Sequence, residues 1–164
     1  MAKEIERKFL VKGDEWRRSA TAGTRLRQAY LSDGGNAAVR VRIAEDRAFI
    51  TIKAARPGRV RDEFEYPIPV SDAEQMLALC TGIMLEKTRY RIPEGNYVWE
   101  IDVYGGDNTG LVLAEIELDG EDAAFGKPGW LGSEVTDLQH FYASKLARRS
   151  FKEWSAAERA EWLR

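Results

Sequence analysis

The chain has little of what most metal and redox chemistry depends on: its 164 residues include one cysteine, Cys80, and one histidine, His140. A lone cysteine excludes an internal disulfide and any thiolate cluster for zinc. A lone histidine excludes histidine-rich metal sites and two-histidine catalysis. Any metal must therefore bind oxygen, which favours magnesium or manganese on carboxylates, with phosphate or water completing the shell. Long apolar runs are also missing. Nothing approaches the roughly 20 residues that span a bilayer, and the N-terminus lacks the apolar centre of a signal peptide, so a cytoplasmic protein with no membrane partner is expected. Nor does one sign of charge dominate, since the net charge is −2 with 32% of residues charged. An anion site must then be a local concentration of cations balanced by acids elsewhere. Length and a 44% hydrophobic content suit one domain over residues 1–164.

What is present is a recurring alternation of charged and apolar residues. It runs through Glu4-Ile5-Glu6-Arg7-Lys8, Val39-Arg40-Val41-Arg42-Ile43, Phe64-Glu65-Tyr66, Lys87-Thr88-Arg89-Tyr90, Glu100-Ile101-Asp102-Val103 and Glu115-Ile116-Glu117-Leu118. Successive side chains on a strand point to opposite faces, so each run places its charges on one face and its apolar residues on the other. Strands are expected at Glu4–Val11, Arg25–Leu31, Ala38–Ala44, Ala48–Lys53, Arg61–Ile68, Leu85–Ile92, Tyr97–Tyr104 and Leu111–Leu118, with a basic Pro57-Gly58-Arg59 loop between the fourth and fifth. Helices are expected around Trp16, from Ser71 to the break at Gly82 with a Ser71/Glu74 capping box, at Glu121–Phe125, and from Thr136 through Leu146. A second capping box, Ser155 with Glu158, marks a C-terminal helical extension over about 150–164, packed on the outside or extending from it.

An ordinary half-exposed sheet also alternates, and its charges simply face water. Two features argue otherwise. Like charges repeat at every second position strand after strand, an arrangement that repels itself on one face. And about eight strands suffice to close a barrel that holds a ligand. Charged faces turned inward would leave the apolar faces to be covered by helices, with the core between barrel and helices. Lys8, Arg40, Arg42, Lys53, Lys87 and Arg89 would then converge on one cavity, enough for a compact, multiply charged anion such as a linear triphosphate. Glu4, Glu6, Glu115 and Glu117 offer oxygen ligands for one or two divalent metals.

Glu4-Ile5-Glu6-Arg7-Lys8-Phe9-Leu10 resembles the ExExK signature that opens the CYTH domain of the triphosphate tunnel metalloenzymes. The paired arginines, the lysine closing the next strand, the Glu-x-Glu strand, the Lys-x-Arg strand, the acidic strand and a second Glu-x-Glu strand follow in the family's order. Glu134-Val135-Thr136-Asp137, Tyr142 and Lys145-Leu146-Ala147 resemble the ending of short bacterial members, and the likeness covers about residues 3–149. It implies an α+β, mainly β fold: a closed eight-stranded antiparallel barrel with helices packed outside. It also implies divalent-metal-dependent hydrolysis of inorganic tripolyphosphate to pyrophosphate and orthophosphate. By the same likeness Glu4, Glu6 and Glu117 meet metal, with Glu115 nearby contributing to a second metal or its waters. Lys8, Arg40, Arg42, Lys53, Lys87 and Arg89 meet phosphate. Glu63, Glu65, Glu100 and Asp102 orient these cations, and Tyr30 partners Lys8 near the leaving phosphate.

Thiamine triphosphate, a nucleoside triphosphate or cyclisation of ATP are the alternatives within the family. A binding module that holds polyphosphate or a phosphorylated ligand without cleaving it is the alternative outside catalysis. A nucleic-acid barrel would interleave exposed aromatics with its cations, which these faces do not, so no nucleic-acid partner is expected. A homodimer is compatible with an enzyme of this size. His140 reads as a packing residue and Cys80 as a small core hydrophobe. Trp130 reads as an anchor on the barrel in preference to a lid. Arg59 and Arg61 suit recruitment of substrate and plain solvation equally.

Overall fold

The computed structural model describes residues 3–56 and 59–163. Pro57 and Gly58 of the expected basic loop lie outside the described residues. Nine strands form, in order β1 (Lys3–Val11), β2 (Thr24–Gly34), β3 (Ala37–Ala44), β4 (Arg47–Ala54), β5 (Val60–Ile68), β6 (Thr81–Glu94), β7 (Tyr97–Tyr104), β8 (Val112–Glu117) and β9 (Leu131–Glu134). Three helices accompany them: α1 (Val70–Leu77), α2 (Ala143–Leu146) and α3 (Ala156–Trp162). Sheet order is β5-β4-β3-β2-β6-β7-β8-β1-β9, and a further β5–β1 pairing closes eight strands into a barrel. Every pairing is antiparallel. β1 is the seam: Lys3–Ile5 pair with β5, Glu6–Leu10 pair with β8, and Phe9 and Val11 pair with β9.

The alternation does fix which way each strand faces. On the outside, Phe9, Trp99, Ile101, Ala114 and Ile116 form a buried cluster with Trp16 and Leu131. Trp130 packs edge-on to Trp99 with ring centroids 5.6 Å apart, so it is an anchor on the barrel wall. α1 covers a second outer face, with Ala73 against Val41, Ile43 and Ala48. Loops do much of the covering expected of helices. The 121–125 stretch is a turn and extended chain between Gly120 and Gly126. It is too short to nucleate a helix on its own, and it delivers Phe125 onto Phe9 and Trp99.

Part of the core lies inside the barrel, contrary to expectation. Continuing each charged face by two or four residues reaches Leu10, Leu85, Tyr104, Leu113 and Leu111, which cluster with Tyr30 and with Phe141, Leu146, Phe151 and Trp154 from the C-terminal segment. One end of the barrel is thus filled with apolar side chains. Wholly buried side chains such as Leu85 and Leu113 each contribute about 1.5–3 kcal/mol. The long helix expected over 136–146 is absent because its first residues are bound to β1: Val135 N–H donates to the Lys8 carbonyl at 2.8 Å, and the Thr136 hydroxyl accepts from Lys8 N–H at 3.0 Å. Only a 3-10 turn at Gln139–Phe141 and the single turn of α2 remain. Gly82, at φ +77, lets α2 approach, since a Cβ there would lie 2.5 Å from the Ala147 carbonyl. His140 meets Trp154 edge-on and Trp162 at a tilt in this segment.

The two capping boxes separate. Ser155 and Glu158 form theirs, with the Ser155 hydroxyl accepting from Glu158 N–H at 3.2 Å. Ser71 does not cap, because the helix already begins at Val70 with Pro69 as its N-cap, whose carbonyl accepts from Ala73 N–H at 3.0 Å. Cys80 is half-buried, and its thiol meets the Met76 carbonyl at 3.3 Å.

Candidate active site

The charged faces of β1 to β8 enclose a cavity of about 350 Å³. Every site residue expected from the sequence lines it except Asp102, which is fully buried beneath Lys87 and Arg89. Tyr30, whose strand shows no clean alternation, also faces inward: it pairs with Arg40 across the β2–β3 ladder and lines the cavity.

The cations are held by carboxylates in defined geometry. Asp102 receives Lys87 Nζ at 2.7 Å and both Arg89 Nε and Nη2, at 2.7 and 2.8 Å, a two-pronged grip that fixes the guanidinium plane. Glu100 adds a contact to Arg89 at 3.2 Å. Glu115 meets Lys8 at 3.2 Å and Arg89 at 3.7 Å. Glu65 meets Arg42 at 3.1 Å and Arg40 at 3.8 Å, and it accepts from the Thr51 hydroxyl at 3.0 Å. Lys53 lies 2.5 Å from Glu4 and 3.7 Å from Glu63. The ring facing Lys8 is that of Tyr142, with Nζ 5.6 Å from its centroid, and Nζ also donates to the Phe141 carbonyl at 3.3 Å.

Charge is distributed unevenly among the acids. Burial would raise Glu115, but Lys8, Lys87 and Arg89 hold it well below the usual carboxylate range. Asp102 is likewise held down against burial by Arg89 and Lys87. The other set behaves oppositely. Burial, with Glu115 adding repulsion, pushes Glu6 up to about 7. Burial also raises Glu4 and Glu117, the latter with help from Glu4 and Glu6. On the cation side, burial outweighs Asp102 and brings Lys87 down to about 8, so it remains charged at neutral pH. Burial and the neighbouring Arg40 and Arg89 bring Arg42 down to about 10.

Glu4, Glu6 and Glu117 therefore form an oxygen-only donor set short of positive charge, which fits a hard divalent cation. Among the described residues no cluster of three such side chains is preassembled as a metal shell.

Sequence reasoning passed over several wall residues. Thr51 and Arg91 lie on the recognised strands at inward positions, so strand parity alone finds them. Gln139, Tyr142 and Lys145 come from the C-terminal segment, whose irregular path carries no periodic signal. Arg61 lines the cavity and Arg59 does not, which separates two residues that were equivalent in the sequence.

A closed barrel with an interior of interleaved cations and carboxylates defines a protein built to hold a polyanion together with a metal ion. The chain belongs to the CYTH family: residues 2–150 match the CYTH domain. It is 42% identical over 153 residues to an inorganic triphosphatase of Acetivibrio thermocellus, covering 93% of this chain and 97% of that protein. It is 36% identical over 149 residues to an inorganic triphosphatase of Nitrosomonas europaea, covering 88% and 96%. A solved structure of an inorganic triphosphatase superposes with a TM-score of 0.62 at 33% identity, covering 87% of this chain and 96% of that one.

Proposed function

We propose that this protein is a divalent-metal-dependent triphosphatase that hydrolyses inorganic tripolyphosphate to pyrophosphate and orthophosphate inside the barrel. The observation that carries this reading is the cavity itself, in which Lys8, Arg40, Arg42, Lys53, Lys87 and Arg89, with further cations on the wall, face a carboxylate set raised by burial. The names of the relatives, matched over nearly their whole length, support it. Glu4, Glu6 and Glu117 hold Mg2+ or Mn2+, and Glu115 adjoins them where the acids meet Lys8 and Arg89. The ion supplies charge neutralisation at the transferred phosphoryl group. Lys8, Arg40, Arg42, Lys53, Lys87 and Arg89 bind and align the phosphates, and their preset positions stabilise charge that builds on the leaving group. Glu63, Glu65, Glu100 and Asp102 keep those cations aimed. Lys8 and Tyr30 serve the leaving phosphate from two sides of the wall.

A pure anion binder would gain nothing from acids raised by burial in its pocket, so sequestration without cleavage is the weaker reading. The whole chain works as one domain on a small triphosphate, with neither nucleic acid nor membrane as partner. The lone half-buried cysteine supports a cytoplasmic setting, and among the described residues no helix is long and apolar enough to cross a membrane. The test is orthophosphate release from tripolyphosphate with magnesium, manganese or excess chelator, beside ATP and thiamine triphosphate. Metal-dependent release that is fastest with tripolyphosphate is expected. Tight binding with no release from any of the three would make the barrel a binding module.

A further inference from the structure

Arg61 differs from the six cations expected to meet phosphate. It opens β5, opposite Glu4 across the β1–β5 seam, and its guanidinium lies over the ring of Tyr142 with Cζ 5.3 Å from the centroid. Lys8, Arg40, Arg42, Lys53, Lys87 and Arg89 each have a carboxylate within 4 Å. Arg61 has no such partner among the described residues, and its Nε is buried without a hydrogen bond. A half-buried charge without a counter-charge is unfavourable, and it persists where a ligand supplies the missing one. The fixed guanidinium fork suits a phosphate group, whose oxygens it can meet in pairs. The neighbouring wall is the chain from Gln139 to Lys145, which brings a second cation, Lys145, to the same side.

We propose that Arg61, held in place by Tyr142, contacts the terminal phosphate at the end of the substrate where a triphosphate ester carries its organic group, and thereby makes the site prefer inorganic tripolyphosphate over triphosphate esters. This rests on the triphosphatase reading above and deepens it. A free terminal phosphate carries one more negative charge than an esterified one and brings no bulky group toward the Gln139–Lys145 wall. Both differences favour the inorganic substrate at this position. Tyr142 acts as a positioning residue, since its ring presents the guanidinium without neutralising it.

The test is steady-state kinetics with tripolyphosphate and with ATP, both with magnesium, on the wild type, Arg61→Gln and Tyr142→Leu. Arg61→Gln is expected to raise KM for tripolyphosphate by about tenfold or more, the loss of one charge-assisted contact, with a smaller change in kcat. The loss of kcat/KM should be at least about fivefold greater for tripolyphosphate than for ATP, and Tyr142→Leu should shift the ratio the same way by less. Because the removed charge has no partner, the melting temperature of the ligand-free variant should hold or rise, whereas the shift produced by tripolyphosphate should shrink. Equal losses on the two substrates, or none, would overturn the proposal. If Arg61→Gln fails to fold, Arg61→Lys decides: retained discrimination would overturn the role given to the fork and its stacking. A wild type that hydrolyses neither substrate would instead defeat the triphosphatase reading.

Discussion

Asp102 and Glu115 sit among more cations than they need, whereas Glu4, Glu6 and Glu117 sit among too few. All five belong to the inward faces of neighbouring strands, β1, β7 and β8, and burial penalises the charge of each. What differs is the company. Arg89 and Lys87 close on Asp102 at 2.7–2.8 Å, whereas Lys53, with a smaller contribution from Lys8 at Glu6, does not outweigh burial and repulsion at Glu4 and Glu6. The first set therefore acts as scaffold, fixing the cations that will meet phosphate. The second is left with capacity for a further cation, which the proposed metal ion would provide. Position on the sheet does not separate structural from functional acids here; local charge balance does.

The contrast breaks most visibly at Asp102. Asp102→Asn leaves Lys87 buried without its ion pair and Arg89 with only its longer contacts to Glu100 and Glu115, and the expected cost is about 3–5 kcal/mol of folding stability, read as a lower midpoint in urea unfolding. Glu6→Gln goes the other way. It should stabilise the metal-free protein, because an acid that burial disfavours is replaced by a neutral amide, while lowering metal-dependent orthophosphate release by at least about 100-fold. A Glu6→Gln variant that is both less stable and fully active would erase the distinction between the two sets.

A pH series sharpens the same comparison. Glu6 titrates at about 7 in the folded chain, above its ordinary 4.5, so the folded state holds a proton that the unfolded state has lost between these values. The stability this contributes is fully present below about pH 4.5 and is lost as pH rises toward 7. Metal-free unfolding midpoints should therefore fall across that window, and less so in Glu6→Gln. Metal competes with the same proton, so apparent Mg2+ affinity, measured by calorimetry, should weaken by about tenfold per unit as pH drops below 7. The smallest effect is expected at an exposed pair outside the barrel: Glu74→Gln removes the Arg27 contact, and the melting temperature should not measurably move.

Much of this was legible in the sequence because a strand has period two. Once Glu4, Glu6 and Lys8 are placed on one face, the register carries Glu115 and Glu117 beside them, and the inward direction of the other charged runs follows from barrel closure. The same periodicity could not orient Tyr30, which shares its strand with Arg25 and Arg27 on the opposite face and a register shift beyond it. It also could not show that the charged faces end in apolar residues, because Leu10 and Leu113 read equally well as strand termini. The C-terminal segment was the least legible. Its hydrogen bonds to Lys8 and its burial of Phe141, Leu146 and Trp154 in the barrel end depend on contacts more than a hundred residues away in sequence. Neither the short β9 nor the inward aim of Tyr142 leaves a local pattern, whereas Arg61 shares the inward parity of Glu63 and Glu65.

The most direct test of the account is to locate the metal: a crystal soaked in manganese, with anomalous difference density recorded at the manganese edge. The account predicts a peak on the carboxylates of Glu4, Glu6 and Glu117, with Asp102 still gripping Lys87 and Arg89. A peak on Asp102, or manganese bound with Glu6 outside its shell, would contradict it.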